Sequence, residues 1–262
     1  MRRCSCSRED WKRLLGLCHA GGAMTKQPSL PQTRPKESAQ TLVLAIDTCG
    51  PVGSVALGRM AGESVEIVEQ IELEGRNYSS TLVAAVADLL AHTGERLTAL
   101  RAIVAVNGPG SFTGVRVGLS AVKGLAEATE VPVVVVSRLE VLARSAGCIA
   151  AALDAHRKEV FLRLPGRDGE GTEMLAGQTE LLKVTPPAHI AVCDDSAAAL
   201  LASAWPQTAL LHTSTPTAAD ALRLCAARVR QADFVDVALL DGHYLRRSDA
   251  EIFGDAARAQ TA

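Results

Sequence analysis

From residue 41 onward, apolar and polar positions alternate in blocks that read as elements. "TLVLAID" is a continuous apolar run ending at Asp47, the length of a buried strand, and "CGPV" after it has the residues of a turn. "GSVALG" returns as a second strand, so the pair predicts a hairpin, and the loosely alternating "SVEIVEQIEL" predicts a third strand. In "NYSSTLVAAVADLLAHTG", Leu82, Val83, Val86, Leu89 and Leu90 recur at helical spacing, with Ser79 or Ser80 to cap the start and Gly94 to stop it. "RAIVAV" and "VPVVVVS" predict two buried strands, the second entered at Pro132, and "TGVRVGLSAVKGLAEAT" between them predicts a second helix. The order β-β-β-α-β-α-β describes a mixed sheet covered by helices, the order of a ribonuclease-H-like domain.

The second half repeats the opening theme. In "CIAAALDAHRKEVFLRL" a strand ends at Asp154, a polar turn follows, and "EVFLRL" returns. "HIAVCDD" is another strand ending in acid, while "SAAALLASAW" and "TAADALRLCAARVRQ" carry helical patterns. Two copies of one domain type are therefore expected, an N-terminal unit over 41–140 and a C-terminal unit over 141–251, joined near "RLEVLARSAG".

Composition and charge narrow the class. With 48% hydrophobic residues and only 3% aromatic, Val, Leu, Ile and Ala must build the core. Residues 1–40 hold eight Lys/Arg against three acids, a balance of +5, which leaves −7 for residues 41–262 of a chain whose net charge is −2. An acidic body does not make a large nucleic-acid surface of its own, because phosphate contacts need clustered Lys/Arg. The polar, Pro-bearing stretch 1–40 is expected to be a disordered leader, with Met24 as an alternative translation start, and 252–262 to be a flexible tail. No apolar run approaches the roughly 20 residues of a membrane span. Cys49, Cys148, Cys193 and Cys225 sit in apolar or small-residue surroundings and read as thiols of a reduced, cytosolic protein; Cys4, Cys6 and Cys18 fall in the leader.

The most distinctive stretch is "NGPGSFTGVR", residues 107–116, between a strand and a helix. A Walker loop needs Lys and Ser/Thr after its last Gly, where this chain has Val115 and Arg116. A dinucleotide fingerprint needs G-x-G-x-x-G, one residue shorter than Gly108-Pro-Gly110-Ser-Phe-Thr-Gly114, and the next strand lacks the acid that would hold a ribose. An anion at the helix N-terminus remains open as the lesser reading, with Asp47, Thr48, Gly108, Gly110 and Ser111 as candidate anion or nucleotide contacts. Close packing is the greater one: Gly114, Gly118 and Ala121 form a small-residue stripe beside the apolar Val115, Leu119 and Val122. That stripe can pack on its own sheet or on a partner. Asp47 reads equally as a metal- or phosphate-facing acid and as a turn acid capping nearby amides. The six His residues are dispersed and make no HxxxH pair, and no G-x-S-x-G elbow is present, so no catalytic or metal residue is assigned.

"LAIDT" with "GSVAL", then "NGPGSFTGVRVGLSAVKGLA", "VPVVVVSRLEVLA", "LDAHRKEVF" and "YLRRSDAE" resemble the bacterial TsaB family, in order and from about residue 42 to 251. The resemblance implies an α/β fold of two ribonuclease-H-like subdomains of the actin-like ATPase superfamily. It implies a non-catalytic subunit that works with a TsaD-like catalytic subunit and a TsaE-like ATPase in threonylcarbamoyl transfer to the adenosine beside the anticodon of ANN-decoding tRNAs. It also implies no cofactor of its own, ATP and metal being used by the partners, contact with tRNA only through the complex, a cytoplasmic location, and a homodimer when alone. TsaD-like proteins carry a metal-binding His pair on the first long helix; here that helix has no His before His92, and it opens with Tyr78-Ser79 where the family often has His-Ser. Leu82, Val83 and Val86 on the first helix, with Val115, Gly118, Leu119 and Val122 on the second, are the candidate interface residues. The rival reading is a glycoprotease-like or nucleotide-binding enzyme that acts alone.

Overall fold

The computed structural model describes residues 41–74, 77–166 and 171–246. The expected leader and tail, the three leader cysteines and the end of "YLRRSDAE" lie outside the described residues.

Two five-stranded mixed sheets share one topology. In the first, β1 (Thr41–Asp47), β2 (Val52–Ala61) and β3 (Ser64–Glu74) form an antiparallel meander, and β4 (Leu100–Val106) and β5 (Val133–Val136) extend it in parallel on the other side of β1, in the order β3-β2-β1-β4-β5. In the second, β6 (Ala151–Asp154), β7 (Glu159–Pro165), β8 (Gly171–Gly177), β9 (His189–Val192) and β10 (Ala209–His212) take the order β8-β7-β6-β9-β10, with the same senses. The repeat expected from the two strand–Asp–turn–strand units is therefore present over whole sheets. Only the hairpin pairs and the first parallel strand of the second copy are readable in sequence; β8 and β10 are edge strands with mixed burial, and they were not among the expected elements.

The first sheet is buried on both faces because helices cover both. Adjacent residues of a strand point to opposite sides. The backbone at Gly53 lies against Tyr78 of α1 (Tyr78–His92), whereas its neighbour Ser54 accepts the amide of Ala218, the first residue of α6 (Ala218–Arg230). Helix α2 (Phe112–Thr129) lies beside α1 and packs on β1 and β4. Helix α3 (Arg138–Ser145) packs on β6, β7 and β9 and touches α6, so these two lie between the sheets. The short α4 (Gln178–Leu181) and α5 (Asp195–Ala204) complete the second unit around Leu162, Ile190, Leu201 and Trp205.

Helix α6 amends the expected partition. Its amphipathic pattern is the one read from sequence, but Ala218, Ala221, Leu222 and Cys225 belong to the core of the first sheet. The chain beyond it also returns to the first unit: the amide of Val235 donates to Val133, and that of His243 to Asn107. The first unit is thus discontinuous, and the stretch from 218 to 246 does not belong wholly to a unit running from 141 to 251. Helical periodicity identifies an apolar face without specifying which sheet buries it. Among the described residues no helix is long and apolar enough to cross a membrane.

Candidate functional site

The space beside the glycines of 107–118 is filled by the protein itself. A Cβ at Gly110 would lie 2.2 Å from the carbonyl oxygen of Cys49, one at Gly114 2.1 Å from that of Thr48, and one at Gly118 2.2 Å from Thr48 Oγ1. Each distance is far inside van der Waals contact, so glycine is required at three points where α2 and its entry loop press on the end of β1. Hydrogen bonds hold the approach: the Thr48 hydroxyl donates to the Gly114 carbonyl at 2.7 Å, and the Ser111 amide to the Cys49 carbonyl at 2.7 Å. Gly108 has φ +116, a conformation that suits glycine, and its carbonyl accepts the Arg138 amide at 2.6 Å. Close packing was the greater expectation, and the surface packed upon is the chain's own strand.

Several candidate residues change role accordingly. Thr48, Gly108 and Gly110 pack against protein, so they do not form a phosphate cradle. Ser111 caps α2, its Oγ accepting the Gly114 amide at 3.2 Å. Asp47 is 1% exposed; its Oδ1 accepts the Cys49 amide at 2.8 Å, and its Oδ2 lies 3.4 Å from Arg138 Nε. Of its two open readings, the turn acid that caps an amide is the one the geometry matches. Leu82, Val86, Val115, Leu119 and Val122 are at most 6% exposed and belong to the core of the first sheet, and Gly118 is buried on Thr48. These six cannot form a subunit interface in the folded chain. Val83 is half-buried and keeps its place at the surface. Beside it, Ala84, Ala87, Val117, Ala121 and Gly124 present a small, half-buried face on the adjacent α1 and α2.

A cleft of about 1030 Å³ lies between the two units. It is lined by the ends of both strand–Asp–turn–strand units, by Ser111 and Phe112 at the start of α2, by Arg138 at the start of α3, and by Tyr244 from the returning C-terminal segment. Phe112 and Tyr244 rings are 4.9 Å apart, and the Arg116 guanidinium sits 3.7 Å from the Phe112 centroid. The second turn, His156-Arg157-Lys158, has three successive residues at φ 60, 54 and 63. Behind the cleft, Glu173 joins the units: it accepts from Arg163 at 2.7 Å and from Ser137 at 2.7 Å, and pairs with His243 Nε2 at 3.0 Å.

Protonation in this region is one-sided. Burial, then the neighbouring Asp47 charge, pushes the Cys49 thiol well above its usual range and the Tyr78 hydroxyl up to about 12. Both are neutral at pH 7, so neither is an activated nucleophile or base. Tyr78 donates to the Gly50 carbonyl at 2.8 Å, which gives the Tyr78-Ser79 departure a structural role inside the first hairpin turn.

Sequence reasoning missed Arg138, the Phe112–Arg116–Tyr244 cluster and the Glu173 network. The i, i+4 spacing of Phe112 and Arg116 was a readable signal. Arg138 had none, since an Arg in the first turn of a helix normally points to solvent.

The family model described as TsaD, tRNA N6-adenosine threonylcarbamoyltransferase, matches residues 69–212, more than half of the length. The tRNA threonylcarbamoyladenosine biosynthesis protein TsaB of Escherichia coli (strain K12) is 36% identical over 135 residues, 49% of this chain and 57% of that protein. Its namesake in Bacillus subtilis (strain 168) is 37% identical over 126 residues, 47% and 54% respectively. The chain thus spans about half the length of the curated relatives it matches. A solved structure from Pseudomonas aeruginosa, of an uncharacterized protein with similarity to the peptidase YeaZ, aligns at 30% identity with a TM-score of 0.65, covering 79% of this chain and 100% of that one. YeaZ from the same organism aligns at 29% identity and 0.63, covering 78% and 100%. With two ribonuclease-H-like units of matching topology, the glycine loop sealed on its own first strand and these relatives, the chain belongs to the TsaB family.

Proposed function

We propose that this protein is a non-catalytic partner subunit in the biosynthesis of tRNA threonylcarbamoyladenosine. It works with a TsaD-like catalytic subunit and a TsaE-like ATPase, in the cytoplasm, on the adenosine beside the anticodon of ANN-decoding tRNAs. It brings no cofactor of its own; ATP and metal belong to its partners, and it meets tRNA through the complex. The observation that carries this reading is the 36–37% identity to bacterial proteins named for that biosynthesis. The half-buried face of Val83, Ala84, Ala87, Val117, Ala121 and Gly124 adds physical support. Small side chains there let a second pair of helices approach closely, as a partner or as a second copy when the protein is alone.

Depletion of the protein followed by mass spectrometry of tRNA nucleosides tests the reading: threonylcarbamoyladenosine falls if it is right, and an undiminished level rejects it. Ala121→Arg tests the face. It should abolish co-purification with the TsaD-like subunit while the chain stays folded, at a cost of about 1 kcal/mol for a half-buried site. The rival, an enzyme acting alone, draws on the peptidase-like description of the Pseudomonas neighbour. Hydrolysis of a glycopeptide or of ATP by the purified protein would favour it.

A further inference from the structure

Residues 243–246 stitch the two units together across the cleft. The chain reaches them from the first unit: the Val235 amide donates to Val133, and Leu240 is buried in the first core. The His243 amide then donates to the Asn107 carbonyl at 2.7 Å. A Cβ at Gly108 would lie 3.0 Å from the His243 carbonyl oxygen, so the first glycine of the 107–116 loop also makes room for this segment. The backbone is thus seated in the glycine loop of the first unit.

The side chains divide between the units. His243 Nε2 reaches Glu173 Oε2 on β8 at 3.0 Å, and Leu245 packs on the second-unit cluster of Leu139, Leu153 and Phe161. Between them, Tyr244 turns the other way, onto Phe112 and Arg116 of α2. Gly242 permits that turn, since a Cβ there would lie 2.5 Å from Tyr244 Cζ. Arg246 completes the second-unit side, paired with Glu159 at the start of β7.

The two attachments differ in kind. On the first unit the segment is held by a backbone hydrogen bond and by the buried Leu240 just before it. On the second it is held by a half-buried leucine and two ion pairs, in which His243, Glu159 and Arg246 are 40%, 33% and 23% exposed. Partly exposed pairs hold weakly, and local opening starts at such contacts. Helix α3 joins the units differently: Val141 is buried in the first core, Leu139 and Leu142 in the second-unit cluster. A joint packed on both faces can act as a hinge, while a weakly fastened segment can come and go.

We propose that residues 243–246 are a clasp over the cleft. It lets go of the second unit at His243, Leu245 and Arg246 while its backbone stays on Asn107, and this release uncovers the cleft wall around Cys193. Access to that wall is then set by the chain itself. The clasp stands apart from the partner role of the α1–α2 face and does not depend on it.

Two native thiols read the release. Cys193 lines the cleft and packs on the same cluster as Leu245, whereas Cys225 is buried in the first core and reacts only on global unfolding. Alkylation of the full chain by N-ethylmaleimide, followed residue by residue by mass spectrometry, tests the proposal. Arg246→Gln and Glu159→Gln should each speed Cys193 alkylation by about fivefold, the scale of one partly exposed pair, with Cys225 unchanged. The double variant should be no faster than either single one, because both remove the same pair. Hydrogen exchange gives the direction of release: the His243 amide should stay protected in Arg246→Gln. Unchanged Cys193 rates in both variants, an equal rise at Cys225, effects that add in the double variant, or loss of protection at the His243 amide would each overturn the clasp.

Discussion

The two strand–Asp–turn–strand units, 42–57 and 151–164, start from the same local pattern and end in opposite surroundings. At the first, Asp47 is 1% exposed, paired with Arg138, and closed over by α2 through three glycine contacts. At the second, the Asp154 side chain is 25% exposed, it pairs with the exposed His156, and α5, the helix that follows β9, approaches through a side chain instead of glycines. There Asp194 accepts the Ala197 amide at 2.7 Å and the Asp154 amide at 3.0 Å, joining the start of α5 to the end of β6. One copy is sealed by backbone packing and the other is left open to the cleft and joined by polar contacts. The acid at the end of a first strand is therefore no guide to ligand chemistry until its cover is known. In this fold the turns of both units and the helix starts line the cleft, but only the second unit brings its strand-end acid to that lining.

The largest expected effect tests the acids themselves. Asp47→Asn leaves the buried Arg138 cation uncompensated, and loss of about 3–5 kcal/mol of stability is expected. Asp154→Asn removes a partly exposed pair, for which about 0–1 kcal/mol is expected. Urea denaturation of both variants measures the difference directly. Equal effects would mean that the two units are not sealed differently.

The second effect tests the covers. Gly114→Ala places a methyl 2.1 Å from a backbone oxygen that cannot rotate away, so α2 must move, at a cost of about 3 kcal/mol. Asp194→Ala removes a helix cap and one further hydrogen bond, and should cost about 1–2 kcal/mol. A Gly114→Ala variant with unchanged stability would show that the loop yields easily and that the glycine stripe has another purpose.

How much of this contrast could be read beforehand follows from where the packing partner lies in the chain. Strands β1, β4 and β5 were readable because each carries an unbroken apolar run, Leu42–Ile46, Ala102–Val106 and Val133–Val136, as burial on both faces demands. The glycine loop was readable as a close approach, but its partner, Thr48, is 66 residues away, and a stripe of small residues has the same spacing whether it meets a strand or a second subunit. That is why Val115, Leu119 and Val122 were assigned to an interface and proved to be core. Strand β10, four residues with no position fully buried, lacked the amplitude to stand out. Arg138 was invisible for a different reason: its neighbours mark it as a helix start, and only the folded chain brings Asp47 over it.

A third, smaller effect concerns the seam between the units. Burial alone would raise the Glu173 carboxyl, but hydrogen bonds with His243, Ser137 and Arg163 outweigh it and hold the group below its ordinary value of 4.5. A carboxylate depressed in the folded state contributes stability that is present above the unfolded value and is lost as pH falls through the folded one. The melting temperature should therefore drop as pH is lowered below about 4.5, and Glu173→Gln, less stable at pH 7, should lose that part of the acid dependence. Identical acid profiles for the two proteins would remove Glu173 from the link.

The smallest effect belongs to the open turn. His156, Arg157 and Lys158 all hold left-handed backbone, which costs an L-residue roughly 1–2 kcal/mol relative to glycine. Glycine gives back about 0.5–1 kcal/mol through the greater freedom of the unfolded chain. Lys158→Gly should thus stabilise the protein by about 0.5–1 kcal/mol, in contrast to every substitution at the sealed unit. Strain of this kind persists where surroundings hold it and is often found beside ligand sites. The turn borders the cleft through His156 and Arg157, on the side opposite the sheet that fixes its two ends. Thermal melts of the two proteins measure the effect, and an unchanged or lower melting temperature in Lys158→Gly would show that this turn holds no strain that glycine relieves.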